Sequence, residues 1–244
     1  MWSVWSETAE LYLGPTVAML RLPGKDTVVV EHMESLPVDQ LLGGVSRQVA
    51  KQGIVDANRA RRLRIVLSGA LCPALTFVAP KQVTRWTERM EIARATAAMA
   101  MGTTPDQVVC EMDTARPGLA SAITIHTMST LQDWTARHSF KVTSIQPLWA
   151  IASQSRTASQ AAVKALMVVD PDAITVVADD GVGKLVASTQ PGQVSASDEQ
   201  AHTRRLLVGL GLRESDLLKL AFGPAARTVM RCGPASWPNS WYSR

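Results

Sequence analysis

The stretch LMVVDPDAITVVADDGVGKLVAS (residues 166–188) decides how the chain is read. Leu166 to Val169 form an apolar strand. Pro171-Asp172 is a turn, because proline presets φ and aspartate caps its own backbone. Ile174 to Ala178 make a second strand, Asp179-Asp180-Gly181 is a hairpin signal, and Leu185 to Ser188 make a third. Pro191-Gly192 then breaks the chain. Ser197-Asp198 caps a helix carrying Leu206, Leu207 and Leu210, Gly211 closes it, and Leu217 to Phe222 read as a last strand.

The opening of the chain has the same order. Leu11-Tyr12-Leu13 is a strand, Gly14-Pro15 a turn, and Val17 and Met19 alternate with Ala18 and Leu20 in a second strand. After Pro23-Gly24-Lys25-Asp26, the run from Thr27 to Met33 is a third strand. Ser35 or Pro37 opens a helix with Val38, Leu41, Leu42, Val45 and Val49 at helical spacing, and Gly53 stops it. The pair Gly43-Gly44 either weakens this helix or admits a close neighbour. Leu63 to Leu67 follow as a strand that ends at Ser68-Gly69. Three strands, a helix and a strand therefore occur twice, near residues 10–67 and 165–222, in pattern and order without sequence identity. A doubled unit of this order predicts an α/β protein of the actin-like, ribonuclease-H-like fold, with two lobes that each hold a mixed sheet flanked by helices. Residues 1–105 are read as the first lobe and 106–244 as the second, which ends in a tryptophan-rich tail.

Between the two units, Leu75 to Val78 read as a strand, and Val83 to Met101 as an alanine-rich helix with Trp86, Met90, Ala93 and Ala97 as its buried stripe. Val108 to Met112 and Ala122 to His126 are strands. Ser129 caps a helix through Leu131 and Trp134 that ends near His138. Val142 to Ile145 are a strand, and Pro147 opens a helix through Leu148 and Ile151.

The middle segments, SAITIHTMSTLQDW (121–134) and FKVTSIQPLWA (140–150), complete a familiar order. The chain resembles the cytoplasmic L-type subunits of type II secretion and the M-type subunits of type IV pilus assembly, over about residues 10–222. An active actin-like ATPase holds phosphates and metal between two hairpins, so the resemblance implies nucleotide contacts at Gly14, Thr16 and Asp170 if nucleotide is bound. Two departures argue against hydrolysis. The first hairpin of the family carries an aspartate two residues before its glycine; Tyr12 stands there, and a phenol does not replace a carboxylate that organises hydrated magnesium. Pro15 also removes a phosphate-cradling N–H. In the second hairpin Asp170 matches, but Asp172 stands where a glycine belongs, and its charge would repel a γ-phosphate.

Other chemistry finds little support. Gly183-Lys184 lacks the remainder of a P-loop, and Ser68-Gly69 lacks the glycine flanking a nucleophile elbow. His32, His126, His138 and His202 form no metal-binding pair, so no metal site is expected. Cys72, Cys110 and Cys232 are too far apart in sequence for a zinc ribbon and suit a reducing compartment. A nuclease would need carboxylates on the first strand, which has only Glu10 at its edge. The net charge of +4 gathers at Arg59, Arg61, Arg62 and Arg64, read as a solvated approach to a strand, with no nucleic-acid partner expected. No apolar run is long enough for a bilayer, and Met1 to Glu7 do not read as a signal peptide, so cytoplasmic localisation is expected, with recruitment to the inner face of the inner membrane.

Of seven tryptophans, Trp2, Trp5, Trp237 and Trp241 lie in the tails, where large aromatics imply docking, either back onto the same protein or onto a partner. Trp237, Trp241 and Tyr242 are the candidate partner contacts. The sequence thus predicts a non-catalytic adaptor or platform protein of a secretion or pilus machine. It is expected to bind protein partners such as a membrane-embedded assembly subunit, or a second copy as a homodimer, and to need no cofactor. The alternative is a degenerate actin-like protein that binds ATP with magnesium or hydrolyses it.

Overall fold

The computed structural model describes residues 8–23, 25–52, 61–114, 116, 118–154, 163–179, 185–192 and 196–222. Its first unit is β1 (Thr8–Leu13), β2 (Val17–Arg21), β3 (Val28–Glu31), α1 (Val38–Lys51) and β4 (Arg61–Leu67). The three opening strands pair antiparallel, and β4 returns parallel to β1, with Leu11 beside Ile65 and Leu13 beside Leu67. The closing unit is β9 (Ala165–Asp170), β10 (Ala173–Asp179), β11 (Leu185–Pro191), α5 (Ala196–Leu210) and β12 (Leu217–Ala221). It repeats the arrangement: β10 pairs antiparallel with both β9 and β11, and β12 lies parallel to β9. The two sheets run β3-β2-β1-β4-β8 and β11-β10-β9-β12, where β8 is Phe140–Pro147.

Both faces of the first sheet are covered, so its strands read as continuous apolar runs. Side chains alternate between two cores. Ala9, Leu11, Leu13, Ala18, Leu20, Leu63, Ile65 and Leu67 pack on the outer side with Leu41, Leu42 and Val45 of α1 and with Leu131 and Trp134 of α3 (Ile125–Arg137). Tyr12, Val17, Met19 and Val66 point the other way. They share a core with Leu166, Val168, Val177, Leu220 and Phe222 of the second sheet and with Leu148, Trp149 and Ala152 of α4 (Leu148–Gln154). The two lobes thus meet through a common apolar interior. On the far side of the second sheet α5 packs down, with Thr203 Oγ1 donating to Met167 Sδ at 3.2 Å.

A third sheet lies between the units, in the order β5 (Ala74–Thr76), β7 (Leu119–Thr124), β6 (Val108–Met112), covered by α2 (Trp86–Ala100). Its strand β5 precedes residue 105 while β6 and β7 follow it, and β8 joins the first sheet from beyond it. A division at 105/106 therefore does not follow the sheets: β4 needs a parallel neighbour on its open edge, and β8 supplies it.

Several local readings are corrected. Trp86 is exposed rather than buried, because α2 meets its sheet through the small residues Ala93, Ala97 and Ala98 and Trp86 sits on the first turn outside that contact. β5 stops at Thr76, leaving Val78 exposed. α3 begins at Ile125 and not after Ser129: Thr124 Oγ1 accepts from Thr127 N at 3.1 Å and caps it, so His126 belongs to its first turn. The arginines at 61, 62 and 64 lie within β4 itself, and Arg64 Nη2 donates to Gln146 Oε1 of β8 at 3.4 Å; Arg59 lies outside the described residues. Gly44 has a packing reason, since a Cβ there would come within 2.9 Å of Val30 Cγ1.

α1 and α3 are joined by one polar cluster. Ser46 Oγ donates to Leu42 O at 3.0 Å, accepts from Trp134 Nε1 at 3.0 Å and lies 3.0 Å from His138 Nε2. His138 Nδ1 lies 2.9 Å from Trp134 O. Ser46→Ala leaves the buried indole N–H without its acceptor, and should lower unfolding free energy in urea by about 1–3 kcal/mol. Ser129→Ala, on the exposed face of α3, should change it by less than about 0.5 kcal/mol.

Candidate functional site

Three chain reversals converge where the two sheets meet. Gly14 to Thr16 link β1 to β2, and Gly14 N donates to Val17 O at 2.8 Å. Ser68 and Gly69 leave the end of β4, where Ser68 N donates to Leu13 O at 2.8 Å and extends the ladder with β1. Asp170, Pro171 and Asp172 link β9 to β10, and Asp172 N donates to Asp170 Oδ1 at 2.9 Å. This self-capped turn is what aspartate favours before a reversal. The parallel pairing of β1 with β4 brings the first two reversals side by side, and the shared core brings the third against them.

Both carboxylates reach across to the opposite lobe. Asp172 Oδ1 accepts from Thr16 N at 3.0 Å and from Thr16 Oγ1 at 2.6 Å. Asp170 Oδ1 accepts from Ser68 Oγ at 2.8 Å, and its Oδ2 accepts from Gly69 N at 3.0 Å. Thr16, Ser68, Asp170 and Asp172 are all buried, Asp172 at 2% exposure. Gly14 is required here because a Cβ would collide with Asp172 Oδ2; at Gly69 a Cβ would collide with Thr175 Oγ1. Tyr12 lies beneath, fully buried, with its ring 4.8 Å from that of Phe222. Among the described residues its hydroxyl and Asp172 Oδ2 meet no partner at good hydrogen-bond geometry, although the hydroxyl faces Ser68 and Asp170.

Burial governs the protonation of the site. Loss of solvation, opposed by the hydrogen bonds from Gly69, Ser68 and Asp172, pushes the Asp170 carboxyl up to about 6. Burial likewise raises Asp172, against its bonds from Thr16. The Tyr12 phenol is held well above its ordinary value, first by burial and then by the two carboxylates, and stays neutral.

The residues expected to contact nucleotide, Gly14, Thr16 and Asp170, do come together here, but not as a phosphate cradle. The N–H and O–H groups of Thr16, the hydroxyl of Ser68 and the N–H of Gly69 already donate to carboxylates of the same chain. The space beside Gly14 holds Asp172 Oδ2. An entering phosphate would meet occupied donors and negative charge, so these residues do not fit the nucleotide and magnesium of an active actin-like ATPase. Among the described residues no three of His, Cys, Asp and Glu are grouped as a metal site would require. Sequence reading missed Ser68 and Gly69 as members of this site. The signal was present, since they end the strand that the doubled pattern sets beside β1. Trp237, Trp241 and Tyr242 lie outside the described residues.

Two units of three strands, a helix and a parallel strand, facing one another across a common core, define the actin-like ATPase fold. Solved structures share it. A Bacteroides thetaiotaomicron protein with actin-like ATPase fold and unknown function superposes with TM-score 0.54 at 11% identity, over 89% of this chain and 82% of its own. The cytoplasmic domain of EpsL, an inner-membrane component of the type II secretion system of Vibrio cholerae, gives 0.51 at 11% identity over 90% and 84%. The PilM–PilN type IV pilus biogenesis complex gives 0.50 at 13% identity over 85% and 66%. No protein-family model matches the sequence, and no curated protein matches it. The likeness is one of fold.

Gly14→Ala should destabilise the protein by about 1–3 kcal/mol in urea unfolding, because the new methyl must displace a buried carboxylate. Combining it with Asp172→Gly removes the colliding group, so the double variant should lose less than the two single losses added together.

Proposed function

We propose that this chain is a non-hydrolysing actin-like subunit that works as an adaptor or platform in a bacterial secretion or pilus assembly machine, at the cytoplasmic face of the inner membrane. The observation that carries the non-hydrolysing part is the Asp172 carboxylate on Thr16: the chain's own anion takes the donors and the space a phosphate would need. The assignment to a machine is supported by the fold shared with the EpsL cytoplasmic domain and with the PilM–PilN complex. No helix among the described residues is long and apolar enough to cross a membrane. The partner assigned to this chain is a membrane-embedded assembly subunit, supported by the fold shared with the PilM–PilN complex.

A fold kept while its phosphate site is filled has its surfaces left for work, and protein binding uses surfaces. The aromatic cluster Trp237, Trp241 and Tyr242 is the first contact we assign to such a partner.

Thermal melting with ATP, with and without magnesium, should show no shift. A melting temperature that climbs with ATP concentration would mean selective binding to the native state and would overturn the reading that Asp172 fills the phosphate site. In co-purification from the membrane fraction, an inner-membrane assembly subunit should be retained by the intact chain and lost with Trp237→Ala/Trp241→Ala. Undiminished retention by that variant would remove the tail as the contact.

A further inference from the structure

The junction between the lobes has a feature that adaptor function does not require. Asp170 and Asp172 are two residues apart in one turn, both almost wholly buried, and joined by the Asp172 N–H to Asp170 Oδ1 bond. The groups facing them are uncharged: Thr16 from the β1–β2 turn, Ser68 and Gly69 from the end of β4, and the phenol of Tyr12 from β1. Tyr12 is the titratable group acting on the pair from another element, and it is held neutral. No lysine, arginine or histidine bonds to either carboxylate in the described structure.

Two buried carboxylates with no cation bonded to them among the described residues first of all lose their hydration on ionising, and mutual repulsion adds to that cost. The hydrogen bonds show where a proton would be held. Both oxygens of Asp170 accept hydrogen bonds, three in all, from Ser68, Gly69 and Asp172. Asp172 uses Oδ1 for Thr16, while its Oδ2 is buried without a hydrogen-bond partner among the described residues. A bare oxygen in a dry site disfavours full charge on Asp172, so the two carboxyls hold a proton as a pair.

We propose that the Asp170–Asp172 turn is a proton-operated latch between the two lobes. It is closed while the pair holds at least one proton and loosened when both carboxylates ionise. In the closed form the singly charged pair, with one proton held between its two carboxyls, satisfies the donors of the opposite lobe. When the shared proton leaves to solvent, the pair carries two charges, and the favoured response is to separate Asp172 from Thr16 and Asp170 from Ser68 and Gly69. The proposal holds whether or not the protein serves a secretion machine, since it concerns only how these lobes are tied.

The direction of the pH dependence follows from the raised carboxyls. Their contribution is complete below the ordinary carboxylate range near pH 4 and is lost as pH rises through the folded value, about 6 for Asp170. The latch therefore weakens toward neutral pH, opposite to a salt-bridged aspartate.

Carboxyl 13C titration of the full chain tests the charge state. The pair should show an apparent midpoint near or above pH 6. Both carboxyls titrating at about pH 4, as in unfolded chains, would overturn the proposal. Amide hydrogen exchange tests the mechanical half. After correction for intrinsic rates, opening at the Thr16 and Gly69 amides should rise about twentyfold between pH 4.5 and pH 8, while the Ile65 amide within β4 stays level. Equal change at all three amides would mean general destabilisation and would overturn the latch. Asp172→Asn keeps the shape and removes the second charge, so the rise at Thr16 and Gly69 should shrink severalfold. An undiminished rise in that variant would also overturn it.

Discussion

Two carboxylates buried between two sheets, with no cation bonded to them among the described residues, set a constraint that the surrounding structure has to meet. An acceptor in such a place must be given donors, and those donors come from the other half of the molecule. Thr16, Ser68 and Gly69 therefore have to stand at hydrogen-bonding distance from Asp170 and Asp172, which fixes how far apart the reversals after β1, β4 and β9 can be. Gly14 and Gly69 follow from the same requirement, since each backbone is approached too closely for a side chain. The pairing of β1 with β4 matters because it delivers two of the three reversals to one place.

The apolar interior imposes the matching condition at larger scale. Tyr12, Val66, Leu166 and Phe222 pack in one cluster although they come from opposite ends of the chain. Helix α4 seats Trp149 in that cluster and fixes it through Trp149 Nε1 to Cys72 O at 3.1 Å. The polar ties above and the packed interior below act on the same two sheets. The first selects one relative placement and the second supplies most of the burial.

Much of this was legible in the sequence because the repeat is written in turn chemistry. Gly14-Pro15 and Pro171-Asp172 mark equivalent reversals, and β-branched runs mark the strands on either side, so the doubled topology could be drawn without any likeness between the copies. The middle was harder. β8 is chemically an ordinary strand, and which sheet it joins depends on the free edge of β4, which no local signal encodes. Trp86 was misplaced because alanines make the contact of α2 and the large residue lies outside it, the reverse of the usual pattern. At the junction, Tyr12 and Asp172 stood out as departures from a pattern, but that Asp172 would turn inward onto Thr16 was a matter of distance across some 156 positions of sequence.

The small sheet inserted between the repeats also touches the second lobe. Ala74 N at the start of β5 donates to Thr189 Oγ1 of β11, 3.0 Å away. β11 borders the four-stranded sheet, and a bare border of that kind invites another chain to pair along it. With β5 lying against it, sideways stacking of subunits is screened from that flank. Among the described strands, the other margin of that sheet is β12.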